Sequence, residues 1–234
     1  MTMSIRVAHL YGDLMNTYGD IGNILALQFY AKQIGVEVTS DIVSLEEDFK
    51  ADDYDFVVFG GGQDFEQTVV ADDIQSKKAE LIKFIEANKP FVAVCGGYQM
   101  LGKYYVDAKG QKLPGIEAMN HYTEQQHDHR FIGDVVIENE KNGNKYHGFE
   151  NHQGITFLGE DEHPLGKVLQ GYGNNGQDGT EGAVHKNTVG TYFHGPIMAR
   201  NGNFAKYMLF QALQNKYPDT DFTEMKKQVK TYEY

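Results

Sequence analysis

The stretch FVAVCGGYQML, residues 91–101, joins two kinds of local pattern. A short apolar run with valines at 92 and 94 predicts a buried strand, whereas residues 98–101 predict the first turns of a helix. Cys95 therefore lies on a strand-to-helix corner. Glycines at 96 and 97 permit the sharp turn that presents a nucleophile at the top of a sheet.

Cys95 is the single cysteine of the chain, and it has two interpretations. Free cysteines often serve as small buried hydrophobes. At a helix N-terminus, however, unpaired N–H groups and the positive end of the helix dipole favour the thiolate. The N–H of Gly96, which follows the cysteine, is then the expected donor to an oxyanion. The position thus favours a nucleophile.

The rest of the chain predicts an α/β fold of flavodoxin-like type. Strand-like runs alternate with helical patterns through the first half, which predicts a mostly parallel sheet with helices on both faces. We expect strands at 5–10, 37–44, 54–59, 90–95 and 187–193, and helices near 21–34, 73–88 and 201–214. From about residue 103, turns and short strands such as 131–137 predict an antiparallel extension. Residues 171–179 read as a flexible surface loop, and the charged tail after Tyr217 as loosely ordered.

Glycine-rich loops follow two of the expected strands. Gly60-Gly61-Gly62 comes after one strand, and Cys95-Gly96-Gly97 comes after another. Ligands of such sheets bind outside the carboxyl ends of the strands, so both loops are expected at one edge. Gly22, at the start of the first helix, is a third candidate for that edge.

Composition limits the function classes. The chain has 234 residues, 41% of them hydrophobic, which predicts one domain spanning 1–234. With 33 acidic and 21 basic residues the formal charge is −12, which opposes nucleic acid and anionic membranes. One cysteine excludes an internal disulfide, and no apolar stretch approaches the ~18 residues of a membrane span. No secretory signal precedes the first strand, so we expect a cytoplasmic protein.

A thiol nucleophile needs a proton acceptor, and histidine serves near neutral pH. His194 ends an expected strand and precedes Gly195-Pro196, which would deliver it to the edge where Cys95 lies. His147 and His152 compete for this role. A metal site is not predicted, because His121, His127 and His129 have no glutamate or cysteine partner at a familiar spacing.

The motifs resemble a known family. AVCGGYQ is similar to the nucleophile signature of class I, triad-type glutamine amidotransferases, and VVFGGGQD to their oxyanion loop. HGP together with GFENHQG resembles the branch related to cobyric acid synthase. The ordered set YGDIGNI, GGGQD, CGGYQ, GFENH, GYGNN and GTYFHGP is similar to the GatD-type subunits of lipid II isoglutaminyl synthases, which amidate D-glutamate of the peptidoglycan stem peptide. The resemblance spans about residues 5–200.

This resemblance implies roles for six residues. Cys95 would attack the carboxamide of glutamine, His194 would pass a proton to the leaving ammonia, and the N–H groups of Gly61 and Gly96 would hold the oxyanion. Gln99, one helical turn after the cysteine, would contact the substrate, and Arg130 would bind its α-carboxylate.

One position departs from the family pattern. A glutamate usually lies two residues after the histidine, but residue 196 is proline. The cobyric acid synthase-like branch often lacks this glutamate too. What orients His194 is left open, with Glu150 as one possible substitute.

The resemblance also implies a partner. The chain has no Gly-x-x-x-x-Gly-Lys-Ser/Thr loop, so no cofactor is expected in it. ATP and Mg²⁺ would belong to a Mur ligase-like MurT subunit that uses the ammonia on lipid II. The alternatives are an amidotransferase for a corrinoid or similar acid, a stand-alone γ-glutamyl or cysteine hydrolase, and a flavodoxin-like module that binds phosphate or flavin at its glycine loops.

Overall fold

The computed structural model describes residues 3–126 and 129–233 of the chain. Its strands are β1 (Ser4–Leu10), β2 (Glu37–Val43), β3 (Phe56–Phe59), β4 (Phe91–Val94), β5 (Tyr104–Val106), β6 (Lys112–Pro114), β7 (His121–Gln125), β8 (Phe131–Glu138), β9 (Lys145–His152), β10 (Gly154–Leu158), β11 (Gly166–Gln170), β12 (Thr180–Glu181), β13 (Ala183–His185) and β14 (Thr188–Thr191). Its α-helices are α1 (Gly22–Lys32), α2 (Asp64–Glu86), α3 (Gly96–Leu101), α4 (Ile197–Arg200), α5 (Gly202–Lys216) and α6 (Thr223–Gln228), and Ala51–Asp53 forms a 3₁₀ turn.

The central sheet has six strands in the order β13-β14-β4-β3-β1-β2. All neighbours pair in parallel except β13, which is antiparallel to β14. Every residue of β3, β4 and β14 is buried. Strands covered on both faces need continuous rather than alternating apolar side chains, which is why FVVF and FVAV form the middle of the sheet. The predicted mostly parallel sheet is confirmed.

The strand order creates a crevice at one edge. The chain passes from β1 through α1 to β2 in one direction, and from β3 through α2 to β4 in the other. Right-handed crossovers therefore place α1 and α2 on opposite faces of the sheet. The direction reverses between the neighbours β1 and β3. Ligand sites of open α/β sheets lie outside the carboxyl ends of strands at such a reversal.

The antiparallel part is more elaborate than a simple extension. Only β13 adds to the central sheet, while the other strands form two further four-stranded sheets, β10-β7-β5-β6 and β12-β11-β8-β9. The longest pairing joins β8 to β9 over eight register positions, from Phe131 with His152 to Glu138 with Lys145. An isolated bridge between Phe149 of β9 and His194 connects the β12-β11-β8-β9 sheet to the chain that leaves β14 of the central sheet.

The first half of the chain differs from expectation at one boundary. Helix α2 begins at Asp64, well before the predicted start near 73. Its first turn carries Asp64, Glu66 and an exposed Phe65, so it lacks the apolar spacing on which the prediction depended. Acidic side chains in a first turn stabilise a helix through its dipole, which explains why the helix extends there.

Two segments expected to be loose are packed. In the 171–179 loop, Asn174 and Asn175 are buried, and the Asn174 side chain bonds both the N–H and the carbonyl of Gly182. The tail after Tyr217 forms α6 and buries Phe222 and Val229. Residues 171–179 do form a surface loop, as predicted, but side chains from distant segments hold its middle in place. The prediction of a loosely ordered tail was wrong, because Phe222 and Val229 are buried. No helix within the described ranges is long and apolar enough to cross a membrane.

Candidate active site

Cys95 occupies a strained corner between β4 and α3. Its backbone has φ 51° and ψ −107°, a conformation that L-residues rarely adopt. Such backbone strain costs on the order of 1–3 kcal/mol and persists only where the surroundings impose it. Here the Cys95 N–H donates to the carbonyl of Thr191 at 2.8 Å, and the Cys95 carbonyl accepts from the N–H of Gln99 at 3.0 Å. The predicted strand-to-helix corner is confirmed.

The glycines after the cysteine allow close packing. A β-carbon on Gly96 would lie 2.1 Å from Nε2 of Gln67, and one on Gly97 would lie 2.5 Å from the carbonyl oxygen of Phe59. The Gly97 N–H donates to the carbonyl of Gly60 at 3.1 Å. The corner thus packs directly on the chain that leaves β3, and a side chain at 96 or 97 would separate them.

His194 is held at the same edge by its backbone. Its N–H donates to the Phe149 carbonyl at 2.8 Å, and its carbonyl accepts the Phe149 N–H at 3.1 Å. The ring of Tyr18 lies against the imidazole with centroids 4.7 Å apart. The side chain is 1% exposed. His194 is therefore held by strand β9 on one side and by Tyr18 of the loop after β1 on the other.

Gly61 lies between the thiol residue and the histidine. A β-carbon there would be 3.1 Å from Cβ of Cys95 and 3.2 Å from Cε1 of His194. The structure therefore brings these two residues together, as predicted. Both also line one cavity, together with Gly62 of the same glycine loop.

Charge near His194 favours its protonated form. Nδ1 of His194 lies 3.9 Å from Oδ1 of Asp20, whose side chain is fully buried. Burial lowers the pKa of His194, but the neighbouring Asp20 carboxylate and the Cys95 sulfur more than offset this and raise the pKa to about 10. An imidazolium beside a thiol stabilises the thiolate, which is the reactive form of cysteine.

The two predicted oxyanion donors differ in their surroundings. Gly96 is the first residue of α3, so its N–H has no acceptor within the helix. The Gly61 N–H instead donates to Oδ2 of Asp20 at 2.7 Å. In this conformation Gly61 is not available to an oxyanion, and its predicted role requires Asp20 to release it.

Arg130 lies at the mouth of the site. It is exposed, and its Nε donates to Oδ1 of Asn151 at 2.5 Å. The Asn151 amide in turn donates to the hydroxyl of Tyr18. A cavity of about 510 Å³ is lined by Arg130, Asn151 and Tyr18 and also by Cys95 and His194. The predicted carboxylate-binding residue thus faces the same space as the thiol.

Gln99 is placed deeper than expected for a direct substrate contact. It is buried, its Nε2 donates to the Tyr192 hydroxyl at 3.2 Å, and its Oε1 accepts from Gln67 at 3.4 Å. It also lines a smaller cavity of about 50 Å³ that reaches Cys95 and Arg130. Its predicted contact with substrate therefore stays a prediction.

The competing histidines have other partners. His152 stacks on Tyr192 with ring centroids 3.6 Å apart and is hydrogen-bonded through Nδ1 to the Gly154 carbonyl at 2.7 Å. Burial lowers its pKa, so it is held neutral. His147 is bound to Asn201 through its backbone groups.

The remaining candidates have structural surroundings. Nε2 of His121 lies 3.0 Å from the Tyr98 carbonyl, and His127 is outside the described residues. Within residues 3–126 and 129–233, no group of three or more metal-ligating side chains could hold a metal ion. Glu150, the suggested orienting group, instead accepts the N–H groups of Tyr172 and Gly173.

Comparison with known proteins identifies the family. A profile of the CobB/CobQ-like glutamine amidotransferase domain matches residues 6–202. The lipid II isoglutaminyl synthase (glutamine-hydrolyzing) subunit GatD of Streptococcus pneumoniae is 52% identical over 213 residues, which cover 91% of this chain and 82% of that protein. This chain belongs to the CobB/CobQ-like glutamine amidotransferase family. The family resemblance inferred from the motifs is confirmed.

Other relatives support the same family assignment. GatD of Staphylococcus aureus is 39% identical to this amidotransferase, with 91% of this chain and 86% of that protein covered. A probable cobyric acid synthase of Methanosphaera stadtmanae is 33% identical, but the match covers 71% of this chain and only 34% of that protein. Among solved structures, a glutamine amidotransferase from Thermotoga maritima matches with a TM-score of 0.54 at 16% identity, over 95% of this chain and 85% of that one. At this identity the match shows the fold alone.

Sequence reasoning missed one residue of the site. Asp20 contacts Gly61 and faces His194, yet the motif YGDIGNI had drawn attention only to Gly22. Gly22 proves to be a packing residue, since a β-carbon there would lie 2.5 Å from Cγ of Pro196. A signal for Asp20 existed: an acidic residue in the loop that follows the first strand, at the edge where the other loops were expected.

Proposed function

We propose that this amidotransferase is the glutaminase subunit of a lipid II isoglutaminyl synthase. The observation that carries the proposal is the 52% identity to a GatD subunit over 91% of the chain. The convergence of Cys95, His194 and Arg130 on one cavity agrees with it. The chain would supply ammonia by hydrolysing L-glutamine, and a second subunit would use that ammonia.

The proposed chemistry begins with the Cys95 thiolate. It attacks the carboxamide carbon of glutamine, and the tetrahedral oxyanion is held by the Gly96 N–H, joined by Gly61 if Asp20 releases it. The imidazolium of His194 donates its proton to the departing nitrogen, so that the C–N bond breaks and ammonia leaves. Water, deprotonated by His194, then attacks the thioester. Glutamate is released and the thiol is restored.

Recognition of glutamine would use both of its charged ends. The Arg130 guanidinium suits the α-carboxylate, since planar bidentate pairing is what this group does best. Glu66 lines the same cavity, and its Oε2 is buried without a hydrogen-bond partner among the described residues. We infer that this carboxylate accepts the α-ammonium group. Gln99 would contact the glutamine substrate from the smaller cavity.

The proposed division of labour assigns ammonia release to this chain and ATP use to a partner. We propose that the partner is a Mur ligase-like MurT subunit, which activates the D-glutamate carboxylate of lipid II with ATP and Mg²⁺ and receives ammonia from this chain. We place the reaction in the cytoplasm, where a free thiol such as Cys95 stays reduced.

The test uses the chain and its partner together. Purified complex should amidate the lipid-linked muropeptide with glutamine as nitrogen donor, whereas this chain alone should release ammonia but amidate nothing with ATP present. The Cys95→Ala complex should amidate when free ammonia is supplied, because only the ammonia source is lost. Failure of the intact wild-type complex with glutamine, or of the variant complex with abundant ammonia, would contradict the proposal.

A further inference from the structure

The Cys95 thiol faces a cavity that small polar molecules can enter. Cys95 and His194 both line the cavity of about 510 Å³ at the carboxyl edge of the central sheet. His194 is 1% exposed, and neither of its ring nitrogens has a hydrogen-bond partner among the described residues. Buried polar atoms without partners are costly. A small polar molecule in the cavity therefore meets the thiol and an unpaired imidazole together.

The neighbouring imidazolium makes this thiol sensitive to oxidation. The Cys95 sulfur and the His194 ring interact directly, and each stabilises the charged form of the other. Thiolates are the form of cysteine that peroxides oxidise, and the first product is a sulfenic acid. The arrangement that prepares Cys95 for nucleophilic attack therefore also prepares it for reaction with a peroxide.

The chain offers no second thiol to a sulfenic acid at Cys95. A cysteine sulfenic acid condenses either with another thiol, giving a disulfide, or with a backbone nitrogen, giving a sulfenamide. Cys95 is the single cysteine of the sequence, so an internal disulfide cannot form. The partner within the chain must be a backbone nitrogen that the sulfur can reach.

The conformation of Cys95 brings its side chain beside the nitrogen of Gly96. The ψ angle of Cys95 is −107°. In an L-residue the backbone nitrogen and Cβ lie about 120° apart around the Cα–C bond, so this ψ leaves Cβ only about 15° from eclipsing the Gly96 nitrogen. In regular helices and strands the same torsion is about 80° or more. A five-membered ring of Sγ, Cβ, Cα, C and the Gly96 nitrogen needs a small torsion at this bond.

Hydrogen bonds hold this conformation while leaving the Gly96 nitrogen unoccupied. The Cys95 N–H donates to the Thr191 carbonyl, and the Cys95 carbonyl accepts the Gln99 N–H, so the peptide groups on both sides of the Cys95 Cα are fixed. Gly96 begins α3, and its N–H contacts no acceptor in the described part of the chain. Glycine also tolerates the backbone adjustment that ring closure requires. The nitrogen is in place and free to react.

We propose that Cys95 is a reversible oxidation site, at which hydrogen peroxide converts the thiol to a cyclic sulfenamide with the backbone nitrogen of Gly96. The thiolate attacks one peroxide oxygen, the O–O bond breaks, and the departing hydroxide takes the proton of the His194 imidazolium and leaves as water. Sulfur loses two electrons and the peroxide gains them.

Ring closure then completes the modification. The Gly96 nitrogen attacks the sulfenic sulfur, the S–O bond breaks as the S–N bond forms, and the N–H proton leaves with the hydroxide as a second water. While the S–N bond persists, the sulfur cannot attack a substrate or be oxidised further. Two equivalents of an external thiol reverse the step, restoring the Cys95 thiol and the Gly96 N–H and leaving as a disulfide. The proposal does not depend on the proposed glutaminase function.

Mass spectrometry of the intact, folded chain tests the proposal. After treatment with equimolar hydrogen peroxide, the main product should be about 2 Da lighter than the untreated protein, whereas a sulfenic acid would be about 16 Da heavier. The lighter product should not react with iodoacetamide, and dithiothreitol should restore both the original mass and the reactivity. The tryptic peptide of residues 84–103 contains Cys95 and Gly96 but no histidine, so the loss should lie within this one peptide.

Two variants serve as controls. Ser76 is exposed in the middle of α2, so Cys95→Ala with Ser76→Cys places the single thiol in a regular helix. Oxidised to the same extent, it should gain oxygen and show no loss of 2 Da, because its torsion is wide and the following N–H is bonded in the helix. Gly96→Pro removes the N–H that ring closure requires, and proline suits the first position of a helix. It should also show only the heavier products.

Each result either supports or overturns the proposal. Wild-type protein that shows only gains of about 16 or about 32 Da would overturn it, because the sulfur would then be oxidised without closing the ring. A lighter product that joins residues 84–103 to another peptide, or that persists in folded Gly96→Pro, would assign the bond to a different nitrogen and also overturn it. If Gly96→Pro does not fold, the peptide assignment in the wild type still decides. A chain that releases no ammonia from glutamine would contradict the proposed function and leave these masses unchanged.

Discussion

Gly97 packs against the main chain of Phe59: a β-carbon on Gly97 would lie 2.5 Å from the Phe59 carbonyl oxygen, well inside van der Waals contact. This contact joins the corner after β4 to the end of β3. It sets how closely the cysteine loop and the glycine loop approach each other, and therefore the geometry of the site.

Alanine substitutions at the two neighbouring glycines should differ. Gly97→Ala should lower the free energy of unfolding by about 3 kcal/mol, because it meets backbone that cannot move aside. Gly96→Ala meets the end of the flexible Gln67 side chain and should cost only about 1 kcal/mol. Urea denaturation of both variants measures the difference. Equal losses would mean that the Phe59 backbone yields as readily as the Gln67 side chain.

The strain at Cys95 predicts an unusual order of stability. Glycine tolerates φ 51°, whereas alanine does not, so Cys95→Gly should be more stable than Cys95→Ala by about 1 kcal/mol. In most regular positions the order is the reverse. Chemical denaturation of the two variants provides the measurement, and both should lack glutaminase activity because both lack the thiol. A more stable alanine variant would show that the corner is not strained.

His194 should keep Cys95 reactive over a broad pH range. Its pKa is raised to about 10, so the imidazolium persists through neutral pH and is lost only as the pH rises through that value. The rate of alkylation of Cys95 should therefore vary little between pH 7 and 9. In His194→Ala the imidazolium is absent, so alkylation of Cys95 at pH 7 should be slower than in the wild type.

Turnover should identify the same histidine. His194→Ala should reduce glutamine hydrolysis on the order of 10²-fold or more. His152→Phe keeps the ring that stacks on Tyr192 and serves as the comparison. Loss of activity in the His152 variant with a tolerated change at His194 would show that the wrong histidine has been paired with the thiol.

Arg130 should act on substrate binding alone. Arg130→Ala should raise KM for glutamine on the order of 10- to 100-fold through loss of a charge-assisted contact, while the alkylation rate of Cys95 stays unchanged. Arg6→Ala is the matched control, since Arg6 is also exposed and pairs with Asp41 at 2.7 Å. A parallel loss of alkylation in Arg130→Ala would indicate that the arginine supports the structure of the site instead.

Much of the fold could be predicted from local patterns. The apolar runs that became β3 and β4 and the glycines that follow them specify strand, corner and helix through the conformations available to those residues. The juxtaposition of Cys95 and His194 followed from the rule that parallel strands end at one edge. The early start of α2 was missed because its first turn carries acidic rather than regularly spaced apolar residues, and the packing of the 171–179 loop was missed because contacts with distant segments stabilise it.

The sequence by itself determined the βα alternation, the corner that bears the cysteine, and the motifs that place the chain in its family, because these depend on residues that are neighbours along the chain. Only the tertiary structure decided which carboxylate lies beside His194. Pro196 occupies the position where the family usually has a glutamate, so the local spacing indicated no carboxylate, and the suggested Glu150 accepts the N–H groups of Tyr172 and Gly173 instead. Asp20 reaches His194 because β1 pairs beside β3, which brings the loop after β1 over Gly61. That relation is set by strand order and packing, which no local spacing encodes.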